Sequence, residues 1–244
     1  VSVHAVLGRE WGALVRTPVA LVVLPAFTLA AMALTFYGAG WLARGQADLQ
    51  PFFALHPWLH LLFAPALTMR LWADERRLGT AELLLTLPIR PAAAVLGKWL
   101  AAWLFGGVAL LLTMPLWITV NLLGAPDNGV ILASYIGSWA LLGAMLALGC
   151  AVSAATRLQV LAFLGSVALC FLLLAAGTPL VQDSLKGWAP LLLVELVSAL
   201  SLLTHYEAIT RGVLEARDLV YFILITTAGL IACVWLVERL REQP

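Results

Sequence analysis

Six uncharged and mostly apolar intervals divide the chain, at residues 17–43, 49–69, 99–126, 128–156, 158–182 and 219–237. Each is long enough to cross a hydrocarbon core about 30 Å thick, which takes about 20 residues at the α-helical rise. Lipid offers no partner for a backbone N–H or C=O, so such segments must satisfy their own backbones as helices. The expectation is a single all-α integral membrane domain over residues 1–244 with six transmembrane helices. Of the residues, 63% are hydrophobic and 11% are charged, against roughly 25% charged in soluble domains. A soluble enzyme is excluded. The 14 Lys and Arg nearly balance the 13 Asp and Glu and cluster between the intervals, so no basic face exists for nucleic acid.

Basic residues are retained on the cytoplasmic side of short loops. With the N-terminus inside, ten of them fall inside: Arg9, Arg16, Arg70, Arg76, Arg77, Arg90, Lys98, Arg157, Arg239 and Arg241. Four fall outside: Arg44, Lys186, Arg211 and Arg217. Both termini are therefore expected in the cytoplasm of a cell whose inner membrane holds the chain. The first 17 residues carry Arg9, Glu10 and Arg16 and lack a short apolar core with a small-residue cleavage site, so no cleaved signal peptide is expected.

Three segments outside the spans are long enough to be structured. In residues 1–17, Val3, Val6, Leu7, Trp11 and Leu14 recur at helical spacing against Arg9, Glu10 and Arg16, the pattern of an amphipathic helix lying in the inner interface. Residues 70–98 are the most charged part of the chain. Asp74, Glu75, Arg76 and Arg77 precede a Gly79-Thr80 break, with Thr80 placed to cap a second short helix and Glu82 in its first turn. Residues 183–218 hold an apolar run broken by Glu195. It is too short to span with that charge inside it and too apolar for an open loop, so a re-entrant pair of short helices in the outer leaflet is expected.

Several single residues bear on chemistry. His56 and His60, four apart, share a helix face and have the spacing of two metal ligands, but no third ligand is near and Trp58 beside them marks a membrane interface. The expectation is interfacial structure and no metal site. Glu195 is a functional candidate or an interfacial carboxylate. Arg211, Glu215, Arg217 and Asp218 form a local charge network, with Arg211 and Glu215 one turn apart, or Asp218 simply caps the last span. Trp41, Trp58, Trp188 and Trp235 fall at expected membrane boundaries. Cys150, Cys170 and Cys233 sit apart in apolar runs and read as packing residues. Small-residue runs at 143–149 and 165–168 suit close helix packing.

The run from Asp74 to Leu84 through Pro88, followed by Val95-Leu96-Gly97-Lys98, resembles the signature of type-2 (ABC-2) permeases of ATP-binding-cassette transporters. It is most similar to the gliding-motility-type branch, with its acidic-basic stretch, Gly-Thr-x-Glu-Leu-Leu, proline and Leu-Gly-Lys. A second stretch, Thr204-His205-Tyr206-Glu207 and then Arg211 to Phe222, resembles that branch's approach to the last span.

The resemblance implies an ABC-2, type V exporter-like fold and a permease subunit that pairs with a second permease copy on a cytosolic ABC ATPase dimer. It assigns Asp74, Glu75, Arg76, Arg77, Gly79, Thr80, Glu82, Leu83 and Leu84 to coupling with that ATPase, and the outer segment, with Glu195, His205, Glu207, Arg211 and Asp218, to an external gate. The chain lacks GxxxxGK[ST], so ATP and Mg are expected on the partner ATPase subunits, with no cofactor on this chain. HExxH and Gly-x-Ser-x-Gly are also missing, which argues against an intramembrane hydrolase. An auxiliary membrane protein with a large extracytoplasmic domain is a further expected partner. Two alternatives stay open: a non-transporting anchor that passes ATPase strokes to an extracytoplasmic partner, and an ion-driven secondary transporter.

Overall fold

The structure is a computed structural model that describes residues 3–80, 90–187, 189–213 and 215–242. All regular structure among them is helical. The chain opens with α1 (Val3–Arg16), amphipathic as its pattern requires. Then come α2 (Pro18–Ala33), widened into a π-helical turn at Leu34–Gly38, and the short α3 (Trp41–Arg44). Next are α4 (Gln50–Thr68), α5 (Ala73–Leu78), α6 (Pro91–Leu111), α7 (Met114–Leu123) and α8 (Asn128–Ala155). The remainder is α9 (Gln159–Ala175), α10 (Pro179–Lys186), α11 (Leu191–Ala199), α12 (Leu202–Thr210) and α13 (Ala216–Glu242).

Helix starts follow local chemistry. Proline opens α2, α4, α6, α7 and α10 at positions where its missing N–H costs nothing. Asp127 accepts from Gly129 and Val130 N–H to cap α8, and Ser201 accepts from Leu203 and Thr204 N–H to cap α12.

Four stretches are long and apolar enough to cross a bilayer: Gln50–Leu78, Pro91–Leu123, Asn128–Ala155 and Ala216–Leu240. Two bent pairs raise the number to six, α9 with α10 at 61° and α11 with α12 at 66°. The protein is thus a multi-pass membrane protein with four to six candidate spans. Interval 17–43, expected as one span, holds a continuous helical run from Pro18 through the π turn to Gly38, and at Gly40 (φ +59°) the chain turns left-handed before the short α3. Residues 70–98, expected as one cytoplasmic loop, already re-enter helix at Pro91.

α8 is the central helix. It packs against α13, α4, α9, α6 and α12, and α1 lies along α6. Small residues permit the closest approaches. A Cβ on Gly229 of α13 would stand 2.9 Å from the Ala147 carbonyl carbon of α8, and one on Gly97 of α6 would stand 2.7 Å from Val6 Cβ of α1. The α6–α8 seam is joined by tryptophans. Trp99 stacks on Trp103 and Trp103 on Trp139, with centroids 4.8 and 4.2 Å apart. Trp99 Nε1 donates to the Gly143 carbonyl, while Trp103 and Trp139 donate to each other's carbonyls. Large apolar side chains such as Val22, Leu62, Leu122, Leu172 and Ile231 point outward, the surface expected of a bundle solvated by lipid.

Candidate functional site

The acidic-basic run expected to couple is α5, and it is fastened to four other helices. Trp72 and Ala73 N–H both donate to Ser153 Oγ near the end of α8 at 3.2 Å, and Ser153 Oγ donates to the Met69 carbonyl. Arg76 Nη1 donates to the Ala154 carbonyl at 2.5 Å, a cation on the negative end of α8. Asp74 accepts from Gln159 at the start of α9 and lies 3.5 Å from Arg77. Glu75 Oε1 accepts from Lys98 Nζ of α6 at 2.9 Å and from Arg9 of α1 at 3.3 Å. Gly79 (φ +71°) then ends the helix in the left-handed conformation that favours glycine. Thr80 Oγ1 donates to the Glu75 carbonyl. Glu82, Leu83 and Leu84 lie outside the described residues.

Lys98 is the centre of this arrangement. Its side chain is 2% exposed, and its ammonium bridges Glu75 and, at 3.1 Å, Glu10 Oε1 of α1. It also lies 5.1 Å from the centroid of the buried Trp72 ring. Arg9 closes the ring by pairing with Glu10 at 2.7 Å. Burial pushes the Glu10 carboxyl up, but the Lys98 charge and the hydrogen bonds from Arg9 and Lys98 more than reverse this, so it titrates below its ordinary 4.5. Glu75 Oε2 and Trp72 Nε1 are buried without a hydrogen-bond partner among the described residues. The two carboxylates and two cations tie α1, α5 and α6 into one unit. Facing away from it, Arg77 and Leu78 are exposed.

Sequence reasoning placed Glu75 and Lys98 in one motif but missed Glu10 as the second partner of Lys98, Ser153 as the anchor of Trp72 and Ala73, and Gln159 as the partner of Asp74. A lysine eight residues inside an apolar helix was the available signal, because a charge there requires a buried partner.

The five expected gate residues fall into two groups. His205 of α12 and Asp218 of α13 are brought together, with Nδ1 2.6 Å from Oδ1 and both side chains buried. Glu195 is exposed on the wall of a cavity of about 430 Å³ that His205 and Arg217 also line. Glu207 and Arg211 form a separate surface pair at 3.7 Å. The expected Arg211–Glu215 pairing is replaced by this one because α12 ends at Thr210, so the two residues do not share a helix. Asp218 belongs to the His205 contact rather than to a network with Arg217.

His56 and His60, expected at a membrane interface, are instead fully buried between α4 and α8. His56 Nδ1 and His60 Nε2 converge on Ser138 Oγ at 2.6 and 2.9 Å. The hydroxyl has one proton, so it donates to one ring and accepts from the other. Phe27 stacks on His60, and Phe52 and Phe53 close around His56. Trp41, expected in the belt, is buried and donates to the Asp48 carbonyl. Trp58 and Trp235 are exposed, and Trp188 lies outside the described residues.

A groove of about 560 Å³ runs between α1, α6, α7 and α8, lined by apolar and aromatic side chains including Trp11, Leu104, Met114, Trp117, Ile136 and Trp139. A family model described as ABC-2 family transporter protein matches residues 4–238. No curated protein matches the chain.

Proposed function

Because the chain belongs to the ABC-2 family of transporter proteins, we propose that it is a permease subunit whose α1, α5 and α6 receive the stroke of a cytosolic ABC ATPase and pass it to the bundle. The observation that carries this reading is the Arg9–Glu10–Glu75–Lys98 ring. A helix six residues long transmits force only if it is fixed to what must move. α5 is fixed to α1 and α6 by charge and to α8 and α9 by hydrogen bonds. Exposed Arg77 and Leu78 form the face offered to the ATPase, together with Glu82, Leu83 and Leu84 from the motif.

ATP binding and hydrolysis occur on the partner subunits. The branch reading remains the gliding-motility type, with both termini cytoplasmic, a second permease copy completing the complex, and an auxiliary extracytoplasmic protein joining it. The bent α11–α12 pair is the re-entrant external gate. The apolar groove favours an amphipathic or lipidic cargo moved outward, since it offers nothing to a small, highly charged solute.

The test is purification of the complex in mild detergent. A co-purifying Walker-motif ATPase with vanadate-sensitive hydrolysis, lost in Glu75→Gln while membrane insertion persists, is the expected result. Repeated isolation without an ATPase overturns the reading in favour of an ion-driven transporter. An ATPase whose turnover moves no amphiphile in vesicles supports the anchor instead.

A further inference from the structure

The ring around Lys98 leaves one oxygen of each carboxylate unused. Its contacts all end on Glu10 Oε1 or Glu75 Oε1, and Glu75 Oε2 is buried with no hydrogen-bond partner among the described residues. A carboxylate oxygen kept from water and left unpaired is costly, so a donor brought to it gains more than one brought to an exposed group.

Beside the ring lies a cavity of about 180 Å³ bounded by α1, α4, α5 and α6. That is several times the roughly 30 Å³ a water molecule takes up in the liquid. Part of its lining is polar, from Glu10, Thr17, Glu75 and Lys98, and part is apolar, from Leu14, Ala66, Leu67 and Leu71. Thr17 Oγ1 donates to the Leu14 carbonyl at 3.0 Å, which leaves its lone pairs as further acceptors. Arg70 completes the lining. It is exposed and takes part in none of the ion pairs among the described residues.

This mixture restricts the occupant. A lone cation meets Lys98 and Arg70, and a lone anion meets Glu10 and Glu75. A zwitterion satisfies both sets, its positive end on the carboxylate side and its negative end at Arg70. The setting supplies the rest of the molecule. Residues 49–69 are uncharged and Arg70 is the first charge after them, so the cavity sits where an apolar helix passes into the headgroup layer, with leucines of α1 and α4 beside it.

We infer that this cavity is an inner-leaflet lipid site: the primary ammonium of a phosphatidylethanolamine headgroup donates to Glu75 and Thr17, its phosphate pairs with Arg70, and its chains lie along the apolar side of α1 and α4. Placement in the inner leaflet rests on the reading of α1, α5 and α6 as the cytoplasmic coupling unit. The ammonium brings three N–H donors to waiting acceptors. Choline brings none and is held by aromatic cages, and no aromatic side chain among the described residues lines this cavity. Phosphatidylglycerol brings a phosphate with no cation, setting its charge against Glu10 and Glu75. The bound headgroup adds a joint between α1 and the end of α4 without displacing any contact of the ring.

The experiment is native mass spectrometry of the full chain, purified in mild detergent with any ATPase that accompanies it and offered equal amounts of phosphatidylethanolamine, phosphatidylcholine and phosphatidylglycerol with identical acyl chains. The expected result is one phosphatidylethanolamine retained per chain, several-fold above the other two. Retention is expected to fall stepwise along the N-methyl, N,N-dimethyl and choline series as N–H donors are lost, a readout that needs no variant. Arg70→Gln, at an exposed position, and Ala66→Phe, which puts a ring into the cavity, are each expected to bring phosphatidylethanolamine down to the level of phosphatidylcholine.

Equal retention of the ethanolamine and choline lipids overturns the inference, as does a preference for phosphatidylglycerol or an ethanolamine preference that survives both substitutions. Displacement by water-soluble glycerophosphoethanolamine as readily as by the lipid refutes the part given to the acyl chains, and the lipid assignment with it. Equal retention in a complex whose ATPase still responds to the permease sinks the lipid site alone. A chain that retains phosphatidylethanolamine yet brings down no ATPase upholds the site while the coupling reading fails.

Discussion

Lys98 lies inside an apolar helix and keeps its charge because two carboxylates from other helices reach it. Lys98→Met removes the ammonium and leaves Glu10 and Glu75 close together and poorly compensated. Breaking a buried pair costs about 3–5 kcal/mol; with Arg9 still in place, a loss of about 2–3 kcal/mol is expected, readable as a lower melting temperature in detergent. Acid acts on the same ring. The folded Glu10 carboxyl titrates below its ordinary 4.5, so its contribution is complete above that value and is lost as pH falls through the lower folded value. Limited proteolysis near the N-terminus should therefore accelerate only on strong acidification, and Glu10→Gln should show fast cleavage already at neutral pH. The charged run 74–77 was legible because four adjacent charges stand out in an apolar chain. Its partners were not, since Glu75 and Glu10 lie 23 and 88 residues from Lys98 and nothing local encodes such a meeting. The same holds for His56 and His60, whose shared face follows from spacing while the Ser138 they meet is 82 and 78 residues away.

At the scale of helices, close approach governs what can be changed. Gly97→Leu sets a side chain against Val6 and the Leu7 backbone. It is expected to lift α1 from α6 and to reduce ATPase stimulation while the chain still inserts, as measured by hydrolysis in the purified complex. Gly229→Ala meets the backbone of Ala147 and Leu148, which cannot rotate away. A destabilisation of about 1–3 kcal/mol is expected, again seen as a lowered melting temperature. The charge-free intervals located α4, α8 and α13 to within a few residues, since uninterrupted apolar helices leave that trace, whereas 99–126 began eight residues late because buried Lys98 lies inside α6. They ran past the end of the helix in residues 17–43, because a left-handed glycine at 40 turns the chain without changing its hydropathy. Within 183–218, Glu195 set the apolar run apart from the other intervals, and the structure bends by 66° between α11 and α12 there.

For the whole molecule, the order of packing around α8 was not legible, since small residues spread along a helix tell that something comes close but not which helix. Orientation in the membrane rests on the distribution of basic residues. It is tested with Lys186→Cys and Arg77→Cys, whose native side chains are exposed: impermeant reagents should label the first from outside and the second only after permeabilisation, and labelling of both from one side overturns the orientation. The tryptophan stack between α6 and α8 has a consequence of a different kind. Three indoles in near-parallel contact share their electronic excitation, so the seam should give a paired positive and negative band in near-ultraviolet circular dichroism. Trp58 and Trp235, exposed at the bundle surface, emit independently and respond to the surrounding lipid. One chain thus carries two optical signals without any added label: an exciton band that persists as long as α6 and α8 move together and, once the other five tryptophans outside the stack are replaced, an emission that follows the bilayer.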